Sequence, residues 1–351
     1  MIASQAAVRL RAEAAKRILL TDGAWGTMIQ TYGLGEADYA GSLGLTRDQK
    51  GNNDMLCLTR PEIIEAITQG YLDAGSDIVS TNTFSSTTIS QADYAAEHLV
   101  RDLNVAAAQI ARKAADAAEA KDGRPRFVAG ALGPTNKTLS LSPDVNDPGY
   151  REVDFDQVKA VYAEQIAALV EGGVDFILIE TIFDTLNAKA AIMAALEEQD
   201  RLGRELPIMI SMTITDMSGR NLSGHGVDAF WWAVRHARPL TIGLNCSFGA
   251  DLLRPHVQAL SGIADTLLMA YPNAGLPNDL GEYDELPEQT GKLIEDWATN
   301  GLINIVGGCC GTTPAHIAAI GKAVAGYPAR TVPKLVPVTR LAGLDPMILA
   351  A

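Results

Sequence analysis

Apolar residues recur along this chain in short, nearly continuous runs that alternate with longer segments of helical periodicity. Continuous apolar character, rather than strict alternation, is typical of strands that are covered on both faces. Eight strands are predicted in this way, over residues 18–24, 77–83, 127–133, 175–181, 208–214, 241–247, 266–271 and 303–306.

Amphipathic helices are predicted between these runs. The segment 61–74 places Ile64 and Ile67 on one side, and Pro61 in its first turn is a favoured helix start. The segment 157–171 has the same kind of pattern. Alternating strands and helices predict a single-domain (β/α)8 TIM barrel, because parallel strands need crossover helices and eight strands close without a free edge. A doubly wound open sheet is the alternative.

The predicted barrel extends over residues 18–327 and has a segment on each side. Residues 1–17 are rich in Ala with interspersed charges and are predicted to form an N-terminal helical extension. Residues 328–351 contain Pro333 and Pro337 and are predicted to be an extended tail or linker. No internal repeat and no second domain is evident in the sequence.

Composition limits the classes of partner. The 351 residues are 47% hydrophobic, and 28 basic against 42 acidic residues give a net charge of −14. No basic patch is present, which argues against nucleic acid and anionic membranes as partners. The four cysteines are too few for a secreted disulfide framework, and no run reaches the roughly 18 apolar residues of a spanning helix. These features favour a soluble, cytoplasmic protein that acts on small molecules or binds proteins.

Polar residues collect at the carboxyl ends of the predicted strands. In a (β/α)8 barrel all of these ends face one mouth, where the active site lies. The residues concerned are Asp22, Thr81, Asn82, Glu180, Thr181, Thr213, Thr215, Asn245, Cys246, Asn273, Cys309 and Cys310.

Cys309 and Cys310 follow the last predicted strand and a glycine pair. Neighbouring cysteines seldom form a disulfide with each other, because the ring across one peptide bond is strained. Two thiolates at a strand end suit zinc, and Cys246 at the end of the sixth strand is the candidate third ligand. The alternative is that all three are small core residues, as is expected for Cys57.

Three cysteine ligands leave a tetrahedral zinc ion with one open position, which is the catalytic arrangement. An open position predicts a thiol substrate, since a zinc-bound thiol loses its proton and becomes a nucleophile without a separate base. Asp22 and Glu180 at the same mouth either cap neighbouring backbone or bind an ammonium group.

Long connections on the mouth side are predicted to act as lids or docking surfaces, over residues 31–54, 135–154 and 216–228. The five histidines show no metal-ligand spacing. His225, in the glycine-rich third connection, is the histidine most suitably placed to contact a ligand.

Several motifs in order resemble the homocysteine S-methyltransferase family, and most closely the homocysteine-binding module of cobalamin-dependent methionine synthase. The shared motifs are DGAWGT at 22–27, TNTF at 81–84, GPT at 133–135, ET at 180–181, GLNC at 243–246 and GGCCG at 307–311. The module is indicated further by DVNDP at 144–148, IFDTLNAK at 182–189 and YPNAG at 271–275.

The resemblance implies a set of site residues and a cofactor. Zn²⁺ would be held by Cys246, Cys309 and Cys310, with the homocysteine thiolate completing the coordination. Asp22 and Glu180 would bind the substrate amino group. The Thr81 to Phe84 turn would bind the carboxylate through backbone and hydroxyl donors, and the Asn273 side-chain oxygen would occupy the open zinc position before substrate arrives. Trp25 departs from the family, which more often has a smaller residue such as methionine at this point.

The resemblance also implies methyl transfer to L-homocysteine, giving methionine, with methylcobalamin as donor. Family members of this kind continue into folate and corrinoid modules, so we expect either that this sequence is a piece of a longer protein or that a separate corrinoid protein and a methyl-folate module are its partners. One alternative is direct use of betaine or S-methylmethionine. Another is a non-catalytic homocysteine-binding subunit of a larger methionine synthase.

Overall fold

A computed structural model describes residues 2–349 of the chain, and within them one parallel sheet holds eight strands. The strands are β1 Leu19–Leu20, β2 Ile78–Ser80, β3 Phe127–Leu132, β4 Phe176–Ile182, β5 Ile208–Met212, β6 Thr241–Gly249, β7 Leu267–Asn273 and β8 Ile305–Val306. Their order in the sheet is β1-β8-β7-β6-β5-β4-β3-β2, and a parallel bridge from Thr21 to Ile78 joins the two ends. The predicted (β/α)8 TIM barrel is confirmed.

One helix precedes the first strand, and the other helices lie in the connections between the strands or after the last of them. In chain order the helices are α1 Gln5–Ala14, α2 Gly26–Gln30, α3 Glu36–Ala40, α4 Leu56–Thr59, α5 Pro61–Asp73, α6 Thr88–Gln91, α7 Val100–Asp122, α8 Phe155–Gly172, α9 Thr185–Leu202, α10 Val227–Val234, α11 Ala250–Ile263, α12 Pro287–Thr299 and α13 Pro314–Val324. The helix predicted over 61–74 is α5, and that over 157–171 lies within α8. A capping box between Asp154 and Gln157 starts α8 two residues earlier than the apolar pattern indicates.

Two apolar layers explain why the strand sequences are continuously hydrophobic. Alternate strand residues such as Phe127, Phe176 and Met209 form a cluster inside the barrel. The residues between them, such as Val128 and Ile177, pack against the surrounding helices. Both faces of each strand are therefore buried, and neither face can be polar.

The N-terminal helix α1 closes the barrel interior at the amino ends of the strands. Its buried residues Ala7, Leu10 and Ala14 belong to the same cluster as the interior strand residues. The helix thus contributes to the barrel core. No helix in the described part of the chain combines the length and apolar character needed to cross a bilayer.

The C-terminal segment contains a β-hairpin. Its strands β9 Thr339–Ala342 and β10 Pro346–Leu349 pair in antiparallel register. The Arg340 guanidinium lies 4.7 Å from the centre of the Trp232 ring of α10, and Arg220 forms an ion pair with Asp345 at 2.7 Å. The tail that was predicted to be extended therefore folds back on the barrel surface.

Candidate metal centre

Three cysteines from two distant parts of the chain meet at the carboxyl ends of the strands. Cys246 lies in β6, and Cys309 and Cys310 follow β8. Their three sulfur atoms all lie within 4.8 Å of one another, and the Cys246 and Cys310 sulfurs are 3.9 Å apart. All three thiols are free and half-buried, whereas Cys57 is fully buried and lies outside this cluster.

The turn after β8 is held in place by neighbouring backbone. The Cys309 N–H donates to the Pro272 carbonyl at 2.7 Å, and the Cys310 carbonyl accepts from the Ala274 N–H at 2.9 Å. A side chain at Gly307 would overlap the Thr21 side chain and the Asp22 carbonyl, so the chain can pass β1 this closely only with glycine. The cysteine pair is thereby fixed between β1 and β7.

The end of β6 turns Cys246 towards that pair through an unusual backbone. Cys246 and Ser247 have φ values of 59° and 67°, and Thr181 at the end of β4 has φ 55°. Non-glycine residues rarely adopt this left-handed region, and such strain concentrates at functional sites. Asn245 stabilises the left-handed conformation of Thr181, because its Oδ1 accepts from the Thr181 N–H at 3.0 Å and its Nδ2 donates to Thr181 Oγ1 at 2.8 Å.

Hydrogen bonding within the cluster favours a thiolate at one of its three sulfurs. Hydrogen bonds from Cys246 and then Cys309 lower the pKa of the Cys310 thiol to about 3, and the Tyr283 hydroxyl acts in the same direction. Hydrogen bonding to Cys246 and to Cys310, together with burial, raises the pKa of Cys309. One thiolate shared among three sulfurs is an arrangement that attracts a soft divalent cation.

A nearby amide oxygen has no partner. Asn273, the last residue of β7, is 3% exposed, and its Oδ1 makes no hydrogen bond to any of the described residues. Buried amide oxygens are nearly always bonded, so an unpaired one indicates a missing ligand or ion. Cys309 bonds to residue 272 and Cys310 to residue 274, so the backbone of Asn273 lies next to that of the cysteine pair, although Asn273 is not among the residues that line the cavity.

Two carboxyl groups line a cavity of about 490 Å³ that also contains the thiols. Asp22 is buried, and its Oδ2 accepts from the Ser80 N–H at 2.7 Å and the Ser80 hydroxyl at 2.8 Å. Burial raises the pKa of Asp22. Burial also raises the pKa of Glu180 to about 8, although the Tyr271 hydroxyl donates to Glu180 Oε2 at 3.0 Å. Both carboxyl groups would be stabilised in the ionised form by a cation.

The turn from Thr81 to Phe84 forms another part of the cavity wall. Thr81 Oγ1 accepts from the Ala131 N–H at 2.9 Å and lies 2.6 Å from Thr83 Oγ1, which itself donates to the Ala131 carbonyl. The Thr81 hydroxyl is thus engaged within the barrel. The backbone N–H groups of Asn82 and Phe84 donate to none of the described residues, so they are the available donors of this turn.

Three further residues at the site were not singled out from the sequence as functional. Ser80 precedes the TNTF motif by one position, which is the signal that could have indicated it. Tyr271 starts the YPNAG motif and faces Glu180. Tyr283 packs against Gly311, which has φ 79°, and no sequence pattern connects these two.

His225 lies away from the cavity lining. Its Nδ1 is 3.1 Å from Thr185 Oγ1 and 3.3 Å from Ser223 Oγ, so it belongs to the hydrogen-bond network of the glycine-rich loop. Trp25 does line the cavity.

Fold and site together define a (β/α)8-barrel enzyme with a cluster of three thiols at its catalytic mouth. The chain belongs to the homocysteine S-methyltransferase family, whose sequence model matches residues 19–324. It is therefore a methyltransferase, and homocysteine fits as its acceptor substrate.

Solved structures share the fold. The metallated and oxidised forms of the homocysteine methyltransferase MmuM from Escherichia coli each have a TM-score of 0.70 and 23% sequence identity, over 90% of this chain and 99% of MmuM. The apo form has a TM-score of 0.65 and 22% identity over the same shares.

Proposed function

We propose that this protein transfers a methyl group to the sulfur of L-homocysteine, with a zinc ion held by Cys246, Cys309 and Cys310. The observation that carries the proposal is the meeting of three free thiols in a member of this family, and the unpaired amide oxygen of Asn273, whose backbone adjoins the cysteine pair, supports it. The metallated form of MmuM gives further support.

The thiol cluster fits zinc in spacing and in chemistry. Two sulfurs on a tetrahedral zinc ion with bonds of about 2.3 Å lie about 3.8 Å apart. The Cys246 and Cys310 sulfurs are 3.9 Å apart. The Asn273 oxygen offers a weaker fourth ligand that a substrate sulfur can replace. Zinc held there would supply a lower pKa for the incoming thiol, so that it ionises at neutral pH.

Side chains of the cavity would bind the rest of homocysteine. Asp22 and Glu180 would accept hydrogen bonds from the ammonium group, and Tyr271 orients the Glu180 carboxylate. The free N–H groups of Asn82 and Phe84 would bind the substrate carboxylate. With its ammonium and carboxylate groups both bound, homocysteine would hold its sulfur beside the three cysteines. Such positioning contributes much of the rate of a transfer between two substrates.

We propose methylcobalamin on a separate corrinoid protein as the methyl donor. Such a donor would supply the methyl group without its bonding electron pair: the substrate sulfur would gain the S–CH3 bond, the electron pair would stay on the corrinoid, and the thiol proton would go to solvent. The connections after β3, β5 and β7 expose Val145 by 93%, Met217 by 76% and Leu280 by 83%, and a protein that docks at the mouth would cover these apolar side chains.

The proposal is tested with Cys310→Ser. We expect this variant to lose bound zinc by more than about a hundredfold in affinity, since loss even of a residue that supports a metal ligand costs 10- to 100-fold. Homocysteine methylation should fall with it while circular dichroism shows an intact barrel. Cys57→Ala is the matched control, because its thiol lies outside the cluster, and it should keep one zinc per chain. Full zinc content in Cys310→Ser would contradict the proposal.

The methyl donor is tested by comparing three assays of the zinc-loaded protein. Methionine formation with methylcobalamin, and none with betaine or S-methylmethionine, would support the proposed donor. Turnover with either small onium compound in the absence of any corrinoid would replace it. Homocysteine binding without methionine formation in all three assays would indicate a binding subunit.

A further inference from the structure

Trp25 is linked to the ammonium-binding carboxylate by a chain of two hydrogen bonds. Its indole Nε1–H donates to Ser80 Oγ at 2.9 Å. The Ser80 hydroxyl in turn lies 2.8 Å from Asp22 Oδ2, which also accepts the Ser80 N–H at 2.7 Å. All three side chains line the cavity.

The indole determines the direction of the second bond. A serine hydroxyl can donate or accept, and its proton rotates to suit its neighbours, whereas the indole N–H can only donate. Since Ser80 Oγ accepts from Trp25, its own proton is directed at Asp22. Asp22 Oδ2 therefore receives two donors from one residue, and both bonds favour the ionised carboxylate against the effect of burial.

We infer that Trp25 is a positioning residue for the ammonium group of homocysteine, acting through the Ser80 hydroxyl on Asp22; the inference rests on the proposed function. Without the indole, the Ser80 proton is free to rotate away from Asp22. The hydroxyl oxygen then competes with the Asp22 carboxylate as an acceptor for the substrate ammonium group. The Asp22 carboxylate then loses one of its two Ser80 donors for part of the time and becomes a poorer anion. Trp25 touches neither sulfur nor methyl donor in this role, so it affects substrate binding rather than the transfer step.

The test is Trp25→Phe in the zinc-loaded protein. We expect the KM and the dissociation constant for homocysteine to rise about three- to tenfold, as for weakening of one charge-assisted hydrogen bond, with kcat changed less than about twofold. Binding of 4-mercaptobutanoate, which is homocysteine without its amino group, should not change. This analogue separates an effect on the ammonium site from a general loss of packing in the cavity.

A double-substitution cycle with Ser80→Ala tests the route of the effect. Ser80→Ala alone should raise the KM for homocysteine, and adding Trp25→Phe to it should have no further effect, because the indole then has no hydroxyl to orient. Equal loss of homocysteine and 4-mercaptobutanoate binding, or additive effects in the cycle, would overturn the inference. If the wild-type protein binds no homocysteine, the proposed function fails instead.

Discussion

Glu180 has the most strongly perturbed carboxyl group at the mouth. Burial raises its pKa to about 8, and the Tyr271 hydroxyl, which donates to it, only partly opposes that rise. A carboxyl group whose pKa is raised in the folded state favours folding while it is protonated. This contribution is fully present below the ordinary pKa of 4.5 and is lost as the pH rises through about 8. Ionised Glu180 thus lowers the free energy of unfolding of the metal-free protein at high pH, and the same buried carboxylate would bind a cation.

Glu180→Gln should separate these two effects. The amide keeps an acceptor for Tyr271 but never ionises, so we expect a gain in the free energy of unfolding of less than about 1 kcal/mol at pH 5, which lies just above the ordinary pKa of 4.5. At pH 9 we expect a gain on the order of 2 kcal/mol in the metal-free protein, below what the full shift implies because the carboxyl is partly exposed. Homocysteine affinity of the zinc-loaded variant should fall. Urea unfolding at both pH values measures the first effect, and equal changes at both would show that packing is responsible.

The residues that meet at the cavity were predictable where their chemistry alone indicates them. Cysteines and carboxyl groups at strand ends were recognised from the sequence, and the structure brings them to one cavity. The left-handed backbone of Thr181 and Cys246 was not predictable, because glycine or asparagine is the usual signal for φ near 60°. The contact of Trp25 with Ser80 joins residues 55 positions apart, and no local pattern encodes such a pair.

At the scale of elements, two buried asparagines hold strands together at opposite ends of the barrel. Asn245 joins the mouth ends of β4 and β6, and its Oδ1 also accepts from the Ser211 hydroxyl at 2.7 Å. Asn304, just before β8, accepts from the Leu268 N–H at 2.9 Å and donates to the Arg330 carbonyl at 2.8 Å. The two residues make similar bonds, but only Asn245 adjoins the thiol cluster.

Alanine at these two positions should therefore have different consequences. Asn245→Ala and Asn304→Ala each leave buried partners unpaired, so both should lower the free energy of unfolding by about 2–3 kcal/mol. Only Asn245→Ala should also weaken zinc binding by the folded protein, because the left-handed turns at Thr181 and Cys246 lose their support. Urea unfolding and competitive zinc titration measure the two effects. A similar loss of zinc affinity in Asn304→Ala would contradict the expectation that only Asn245 affects the thiol cluster.

Element positions were predicted better than element lengths. Each of the eight predicted runs contains or overlaps an observed strand, because burial on both faces requires a continuous apolar stretch. The first, second and eighth strands are only two or three residues long. The C-terminal hairpin was missed because its outward residues, Leu341 and Met347 among them, are exposed apolar side chains without the alternation that indicates a hairpin.

At the scale of the whole molecule, the barrel is closed by carboxylates as well as by backbone pairing. β1 and β2 share one bridge, from Thr21 to Ile78. At the mouth, Asp22, which lies just after β1, accepts a hydrogen bond from the Ser80 N–H of β2 at 2.7 Å. At the opposite end, Asp77 accepts the Leu20 N–H at 2.9 Å. Asp22 therefore both closes the barrel and lines the substrate cavity, whereas Asp77 only closes it.

Asp77→Asn should test closure without disturbing the site. Asp77 is buried and pairs with the half-exposed Arg17 and Arg124 at 2.7 Å and 2.9 Å. Asparagine keeps an acceptor for Leu20 but loses both ion pairs, so we expect the free energy of unfolding to fall by about 2 kcal/mol. Asp296→Asn, which breaks an exposed ion pair with Arg254, is the matched control and should cost less than about 1 kcal/mol.

Homocysteine and zinc affinities of the folded Asp77→Asn protein should equal those of the wild type, because Asp77 lies at the amino ends of the strands and the thiols lie at the carboxyl ends. Urea unfolding monitored by far-UV circular dichroism measures the stability, and titration calorimetry measures both affinities. High salt should narrow the difference from wild type, since it screens the partly exposed arginine pairs. Weaker homocysteine binding by Asp77→Asn, with an unchanged free energy of unfolding, would contradict this prediction. It would show that the contacts of Asp77 at the amino ends of the strands affect the site at the carboxyl ends.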